Sequence, residues 1–317
     1  YVSSDNIDYT FRPTFFDKNI LMTQTEFRKK EKNYDLITDF GYIKGYKSSN
    51  SNKKKNISHL FGQLNFDLEY TNFKKSELFL KIEKVTNDTY LKIFDANIEK
   101  NIVKPKNYDV LKNELKLSLN HNNYNFDAGF QSFEDLQLRN SDRYQYVLPY
   151  YNFDKTLFSN FKNGTINLIS SGNNELKNTN NLRSRIINDF FYRGNDIITK
   201  NGFKNNININ LKNLNSIGKN DSEYKSSPQV ELMSNLELAT SLPMIKSETD
   251  FEEYFTPKLS FRVNPSEMKD YSQTEKKINI DNIFSNNRLG IIDSIESGKS
   301  LTLGFDYKKE SLEDINK

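Results

Sequence analysis

The stretch Leu60–Tyr70, LFGQLNFDLEY, decides the fold class. Leu60, Gly62, Leu64, Phe66, Leu68 and Tyr70 fall on one parity, and Gln63, Asn65, Asp67 and Glu69 on the other. Successive strand side chains point to opposite faces, so this segment reads as a strand with one apolar and one strongly polar face. The rhythm recurs along the chain. Ile7, Tyr9, Phe11 and Phe15 alternate with Asp8, Thr10, Arg12 and Thr14, and Tyr34, Leu36, Phe40 and Tyr42 with Asp35 and Asp39. It returns at Leu78-Leu80-Ile82, Leu115-Leu117-Leu119, Tyr124-Phe126-Ala128-Phe130, Ile207-Ile209-Leu211, Leu232-Leu236-Leu238 and Leu259-Phe261-Val263. Helical spacing has little support, and the class is all-β.

Turn-prone residues separate the runs: short turns at 17–19, 122–123 and Asn163-Gly164, and longer polar loops at 47–56, 173–181 and 213–227. Short turns on one side and long loops on the other fit an antiparallel up-and-down barrel. The segments number roughly 14–16, many near the 9–11 residues that a tilted strand needs to cross a bilayer. The run Lys53-Lys54-Lys55 reads as a solvated loop tip.

Of the 317 residues, 35% are hydrophobic and 27% charged, and mean hydropathy is −0.78. No stretch approaches the roughly 18 uninterrupted apolar residues of a spanning helix, a test to which a β-barrel is blind. The net charge of +3 is too mild for a nucleic-acid partner. With no cysteine there are no disulfides and no thiolate chemistry. Tyr1 is not an initiator Met, and residues 313–317 follow directly on a strand, so the chain reads as an internal piece of a longer one.

Alternation alone fits a soluble sandwich as well as a membrane barrel. Soluble sandwich strands run to about 5–6 residues with the apolar face buried. Here several runs are about twice that length, and charge lies deep within them, as at Asp67 and Glu69, Lys81 and Glu83, and Glu114 and Lys116. Such residues suit a watery lumen, with the aliphatic face against lipid and Tyr9, Tyr34, Tyr42, Tyr70 and Tyr307 as an interfacial girdle.

A second stretch, Ile278–Tyr307, INIDNIFSNNRLGIIDSIESGKSLTLGFDY, opens on a short alternating run at Ile278, Ile280 and Ile283-Phe284. A polar loop follows, and then a strand at Leu301, Leu303, Phe305 and Tyr307. The positions Asp281, Asn282, Phe284, Arg288, Gly290, Asp293, Gly298 and Gly304 resemble a signature of the LPS-assembly outer-membrane protein family (LptD). The departure is at Gly290-Ile291-Ile292-Asp293-Ser294, where one residue is inserted and a second arginine is missing. Four further pieces resemble the same family in the same order: Asn6-Ile7-Asp8-Tyr9-Thr10-Phe11-Arg12-Pro13, Glu26-Phe27-Arg28, Asn87-Asp88-Thr89-Tyr90-Leu91, and Arg143 with Leu148-Pro149.

The resemblance implies a transporter, with residues 1–317 as one partial, unclosed transmembrane barrel domain lacking the N-terminal jellyroll and the last strands. Its expected partners are lipopolysaccharide, an LptE-like plug lipoprotein of the translocon, a periplasmic LPS bridge protein reached through the missing jellyroll, and outer-membrane lipid of a Gram-negative bacterium. Pro13 is implied as a gate residue that weakens strand pairing, with the plain strand end or bulge as its equal rival. Asp8 and Arg12 share the polar face of that strand and are either lumen-lining or an ordinary cross-strand charge arrangement. Asp281, Arg288, Asp293 and Glu296 are expected to form a charge network with Arg288 as loop latch, rather than a metal site. His59 and His121, each read at a strand end, make poor ligands or bases, and with no nucleophile or phosphate-loop motif the expectation is no enzyme, no cofactor and no metal. The alternatives are another outer-membrane barrel (a porin or plugged receptor) and a secreted soluble β-sheet adhesin or binding protein.

Overall fold

The computed structural model describes residues 2–16, 20–47, 53–98, 101–160, 162–268, 271 and 276–311. In chain order the strands are β1 (Val2–Ser4), β2 (Ile7–Phe15), β3 (Leu21–Lys30), β4 (Tyr34–Tyr46), β5 (Lys55–Asp67) and β6 (Lys75–Val85). Two single-turn helices, α1 (Tyr90–Ile93) and α2 (Asp95–Ile98), precede β7 (Val110–Asn120) and β8 (Tyr124–Asp135). Then come β9 (Tyr144–Asn160), β10 (Gly164–Lys177), β11 (Asn181–Arg193), β12 (Ile197–Ile198) and β13 (Lys204–Lys219). The last are β14 (Gln229–Ser241), β15 (Met244–Ser247), β16 (Phe251–Asn264) and β17 (Gly298–Ser311). Apart from β1, β12 and β15 every strand has nine residues or more, and the class is the one expected: all-β, with antiparallel up-and-down strands as in part of a barrel wall.

Two units divide the chain, one of residues 1–153, 171–185 and 216–227, the other of 154–170, 186–215 and 228–317. In the first, β2 to β8 pair each with the next, antiparallel throughout. The register converts the sequence alternation into rows that cross the strands. One apolar row runs Leu36, Leu64, Leu80, Leu115, Phe130, and beside it runs Tyr34, Phe66, Leu78, Leu117, Ala128. Next to the first of them, on the opposite face, runs a polar row, Gln63, Lys81, Glu114, Gln131. A one-residue slip would carry every one of these side chains to the wrong face, so the two-faced pattern itself fixes the register.

Burial is inverted relative to a soluble sandwich. Phe11 and Phe15 are 63% and 75% exposed, whereas Glu26 and Asp39 are 1% and 0% exposed. The buried apolar cluster of this unit lies on the same face as those acids. There Met22, Ile43, Ile57, Phe61 and Val85 pack with Tyr90, Leu91, Phe94, Ile98 and Val103 from the insert 86–109.

In the second unit β14 pairs with β16, β15 extends that pairing, and β16 pairs along its length with β17. Leu238, Phe261 and Leu301 make one apolar row, and Thr240, Leu259 and Leu303 another. The intervening residues Ser260, Arg262, Asn264 and Thr302 are buried on the other face.

Several expected boundaries move. Leu68–Tyr70 leave the strand after Asp67, and Glu69 takes a left-handed φ of 53°. The loop expected at 173–181 shrinks to a turn at 178–180, because β10 continues to Lys177, and that at 213–227 begins only after Lys219. Ile278–Phe284 form turns rather than a strand, since Asn282 accepts the Asn279 N–H and bends the chain where alternation alone pointed to extension. The turn at 17–19, residues 48–52 of the loop at 47–56, and the chain end 313–317 lie outside the described residues.

Candidate functional site

The polar face of each unit carries an inserted segment, and these two segments hold the most chemically developed groups. In the first unit the centre is His59. It is the fifth residue of β5 and 1% exposed, so the strand-end reading of this residue is corrected. Its Nε2 lies 2.6 Å from Asp39 Oδ2 on β4, and its Nδ1 lies 2.7 Å from the Tyr90 hydroxyl on α1. A carboxylate only accepts, so the neutral ring carries its proton on Nε2 and leaves Nδ1 to accept from Tyr90. Asp39 also accepts from Gln24 Nε2 at 2.9 and 3.1 Å and from the Asn101 amide. The imidazole stacks on Phe61 with centroids 4.4 Å apart. Gly41 leaves the space for it, because a Cβ there would sit 2.3 Å from the ring. Burial, together with the nearby Asp39 charge, pushes the Tyr90 phenol well above its usual range.

Carboxylate, imidazole and hydroxyl in this order could activate a nucleophile. Tyr90 is 0% exposed, however, so no substrate reaches its oxygen. The triad instead pins the insert 86–109 to the wall. A second tie joins two of the resembling motifs: Arg143 donates to Asp88 at 2.8 Å and to Glu134 at 2.7 Å. These hydrogen bonds, Asp88 foremost, outweigh burial and hold the guanidinium firmly charged.

In the second unit the segment 276–297 folds onto the polar face of β13, β16 and β17. Arg262 donates to the carbonyls of Ser285 and Asn286, and Asn264 to those of Ile295 and Glu296. Lys212 donates to Asp189 at 2.8 Å and to the Ile292 carbonyl at 2.6 Å. Arg288, 6% exposed, pairs in a fork with Glu296 and donates to Ser300 at 3.1 Å. Phe284 lies over Gly304, where a Cβ would come within 2.9 Å of its ring. Two signature positions far apart in sequence are thus in contact.

The other expected site residues divide. Asp293 accepts from Tyr271 at 2.9 Å, and Asn282 stabilises a turn. Gly290 supplies a left-handed φ of 62°. Asp281 is exposed and makes no described bond to Arg288, Asp293 or Glu296. Only the Arg288–Glu296 pair of that network is present among the described residues.

Asp8 and Arg12 share one face of β2, with Asp8 opposite Arg28 in register and Arg12 Nη1 3.7 Å from Glu26. Pro13 points to the other face, opposite Thr23. The bonds Phe16 N–H to Ile20 O and Lys30 N–H to Asn6 O place the even residues of β2 in hydrogen-bonded pairs with β3. The donor missing at Pro13 therefore belongs to the side of β2 turned away from β3.

The sequence singled out neither the Asp39–His59–Tyr90 set nor its partner Asn101. The visible trace was a lone histidine on the polar face of a long strand with a glycine, Gly41, on the next one. Among the described residues no three His, Cys, Asp or Glu side chains are grouped to hold a metal ion. No protein-family profile matches the chain. No curated protein matches it either. Among solved structures it is similar to a chain described as a bacterial polysaccharide outer membrane secretin, with a TM-score of 0.31 and 10% identity over 82% of this chain and 80% of that one. At that score the likeness carries no weight for fold or function.

Proposed function

We propose that the chain is a section of the wall of an outer-membrane β-barrel that delivers lipopolysaccharide to the outer leaflet. The observation that carries the membrane part is the inversion of faces: rows of Leu and Phe point outward while Gln24, Glu26, Asp39, Glu83 and Arg262 are buried on the other side. In water such an outer surface is an association hazard; in a bilayer it is the required arrangement.

The lipopolysaccharide part rests on the ordered resemblance to the LPS-assembly family. It is supported by two physical ties between resembling motifs, Asp88 with Arg143 and Phe284 with Gly304. In this reading the sugar portion passes along the polar face and the acyl chains leave beside β2, where Pro13 withholds a donor from the side turned away from β3. A plug lipoprotein and a periplasmic bridge protein complete the route, and the chain itself performs no covalent chemistry.

Fractionation of the parent protein, followed by its depletion with lipopolysaccharide assayed at the cell surface, tests the reading. Recovery in outer membranes with lipopolysaccharide stalled inside is the expected result. Recovery there with export untouched would pass the function to a porin or plugged receptor.

A further inference from the structure

The outward face of the second unit carries a groove of about 510 Å³, lined by Phe203, Leu259, Leu303 and Phe305 together with Thr240 and Pro257. The register puts Thr240, Leu259 and Leu303 in one row and Pro257 beside Phe305. Thr240 and Pro257 are short and half-buried, whereas Phe203, Leu259, Leu303 and Phe305 are exposed. The depression follows from that difference in side-chain length. Phe203 reaches it from the turn before β13, where Gly202 takes a φ of 84° and a Cβ would lie 3.5 Å from Leu242 Cδ1. The polar side chains of Thr240 and Lys258 are engaged elsewhere. The Thr240 hydroxyl donates to Asn205 at 2.8 Å. Lys258 borders the groove, but its ammonium lies on the polar face, paired with Asp306 and 5.8 Å from the centre of the Phe284 ring.

Height in the wall selects the occupant. On the outward face of β17 the run Leu301, Leu303, Phe305 and Tyr307 lies between Lys299 and Lys309. The ten residues from one lysine to the other span about 33 Å along the strand. At a tilt of about 40° that is roughly 25 Å of height, which matches the apolar band of a barrel wall. Leu303 and Phe305 stand at its middle, where a bilayer offers hydrocarbon and no headgroup. Lipid tails are as apolar as leucine, so packing decides: an empty depression forfeits dispersion contacts, and a flexible chain recovers them.

We infer that this groove holds one acyl chain of a membrane lipid at mid-height of the wall, in contact with Phe203, Leu303 and Phe305. The site presupposes that this face meets lipid, as proposed above.

The test uses the protein reconstituted in phosphatidylcholine that carries a diazirine at the middle of one acyl chain, with adducts located by mass spectrometry after illumination. Adducts are expected to concentrate at Phe203, Leu303 and Phe305, with fewer per residue at Leu115 and Phe130 on the plain outward row of the first unit. Thr240→Leu fills the depression and Phe203→Ala removes part of its wall. Each should cut the adducts at Leu303 and Phe305 roughly threefold, the worth of a handful of carbon–carbon contacts. Neither should change those at Leu115 and Phe130. Unfolding midpoints report whether each variant has folded, and if one fails the other decides. Groove adducts undiminished in the folded variants overturn the site and leave the membrane face standing. Adducts at Leu115 and Phe130 with none in the groove do the same, and mean that protein covers it. Adducts at neither place remove the membrane face, and the site with it.

Discussion

His59 makes two hydrogen bonds that no apolar ring reproduces, and it makes them where water cannot substitute. His59→Phe would keep the stack on Phe61 but strip Tyr90 of its acceptor and Asp39 of one donor. The expected cost is about 2–4 kcal/mol, read as a lower urea midpoint, because buried polar groups are left unpaired. His59→Gln, which can bond to both neighbours, should recover part of the loss. A midpoint equal to the native one in His59→Phe would mean that the triad does not hold the insert. Asp221, in the loop after β13, supplies the pH dependence. Burial raises its carboxyl, but the Arg183 guanidinium at 2.8 Å and the N–H groups of Tyr224 and Glu223 outweigh it, and the net shift is downward. A depressed folded value means that the contribution to stability is fully present above the ordinary value of 3.8 and is lost as pH falls through the lower folded one. Hydrogen-exchange protection at Glu223 and Tyr224 should therefore hold from pH 7 down to about 4 and decline below it. Protection that stays undiminished well below pH 4 would contradict this role for Asp221.

At the scale of elements, the two inserts show where alternation stops being informative. The segment 276–297 was legible as a long ordered loop with Arg288 as its latch, and Arg288–Glu296 is the ion pair that forms. Its docking onto the polar face was not legible, because Arg262 and Asn264 serve loop carbonyls, and backbone acceptors leave no mark in sequence. The insert 86–109 was equally hidden, since its helices span a single turn each and are held by tertiary packing rather than by helical periodicity. Arg288→Ala should loosen 285–297 by about 1–3 kcal/mol, less than for a fully buried pair because Glu296 keeps partial solvent access. Arg288→Lys keeps the charge without the fork and should fall between. Limited proteolysis that reads the same in all three proteins would remove the latch role from Arg288.

At the scale of the whole molecule, the strands were legible because each has the same two faces and the register repeats them across neighbours. Leu36, Leu64, Leu80 and Leu115 fall in one row although nothing in any single strand names its partner. Ends were less legible: Asn-rich segments such as 173–177 and 213–219 read as loops by composition but extend strands, because side-chain amides bond between strands, as Asn188 does to Asn213 at 3.1 Å. The central claim is that one face of these strands meets lipid and the other water. The chain has no cysteine, so single cysteines at 60, 63, 64, 65 and 66 of β5 can each carry a nitroxide in the protein reconstituted into bilayers. The account predicts that oxygen relaxes the labels at 60, 64 and 66, and that a water-soluble nickel chelate relaxes those at 63 and 65. Equal access of the nickel chelate to both sets would contradict it and return the fold to a soluble sheet.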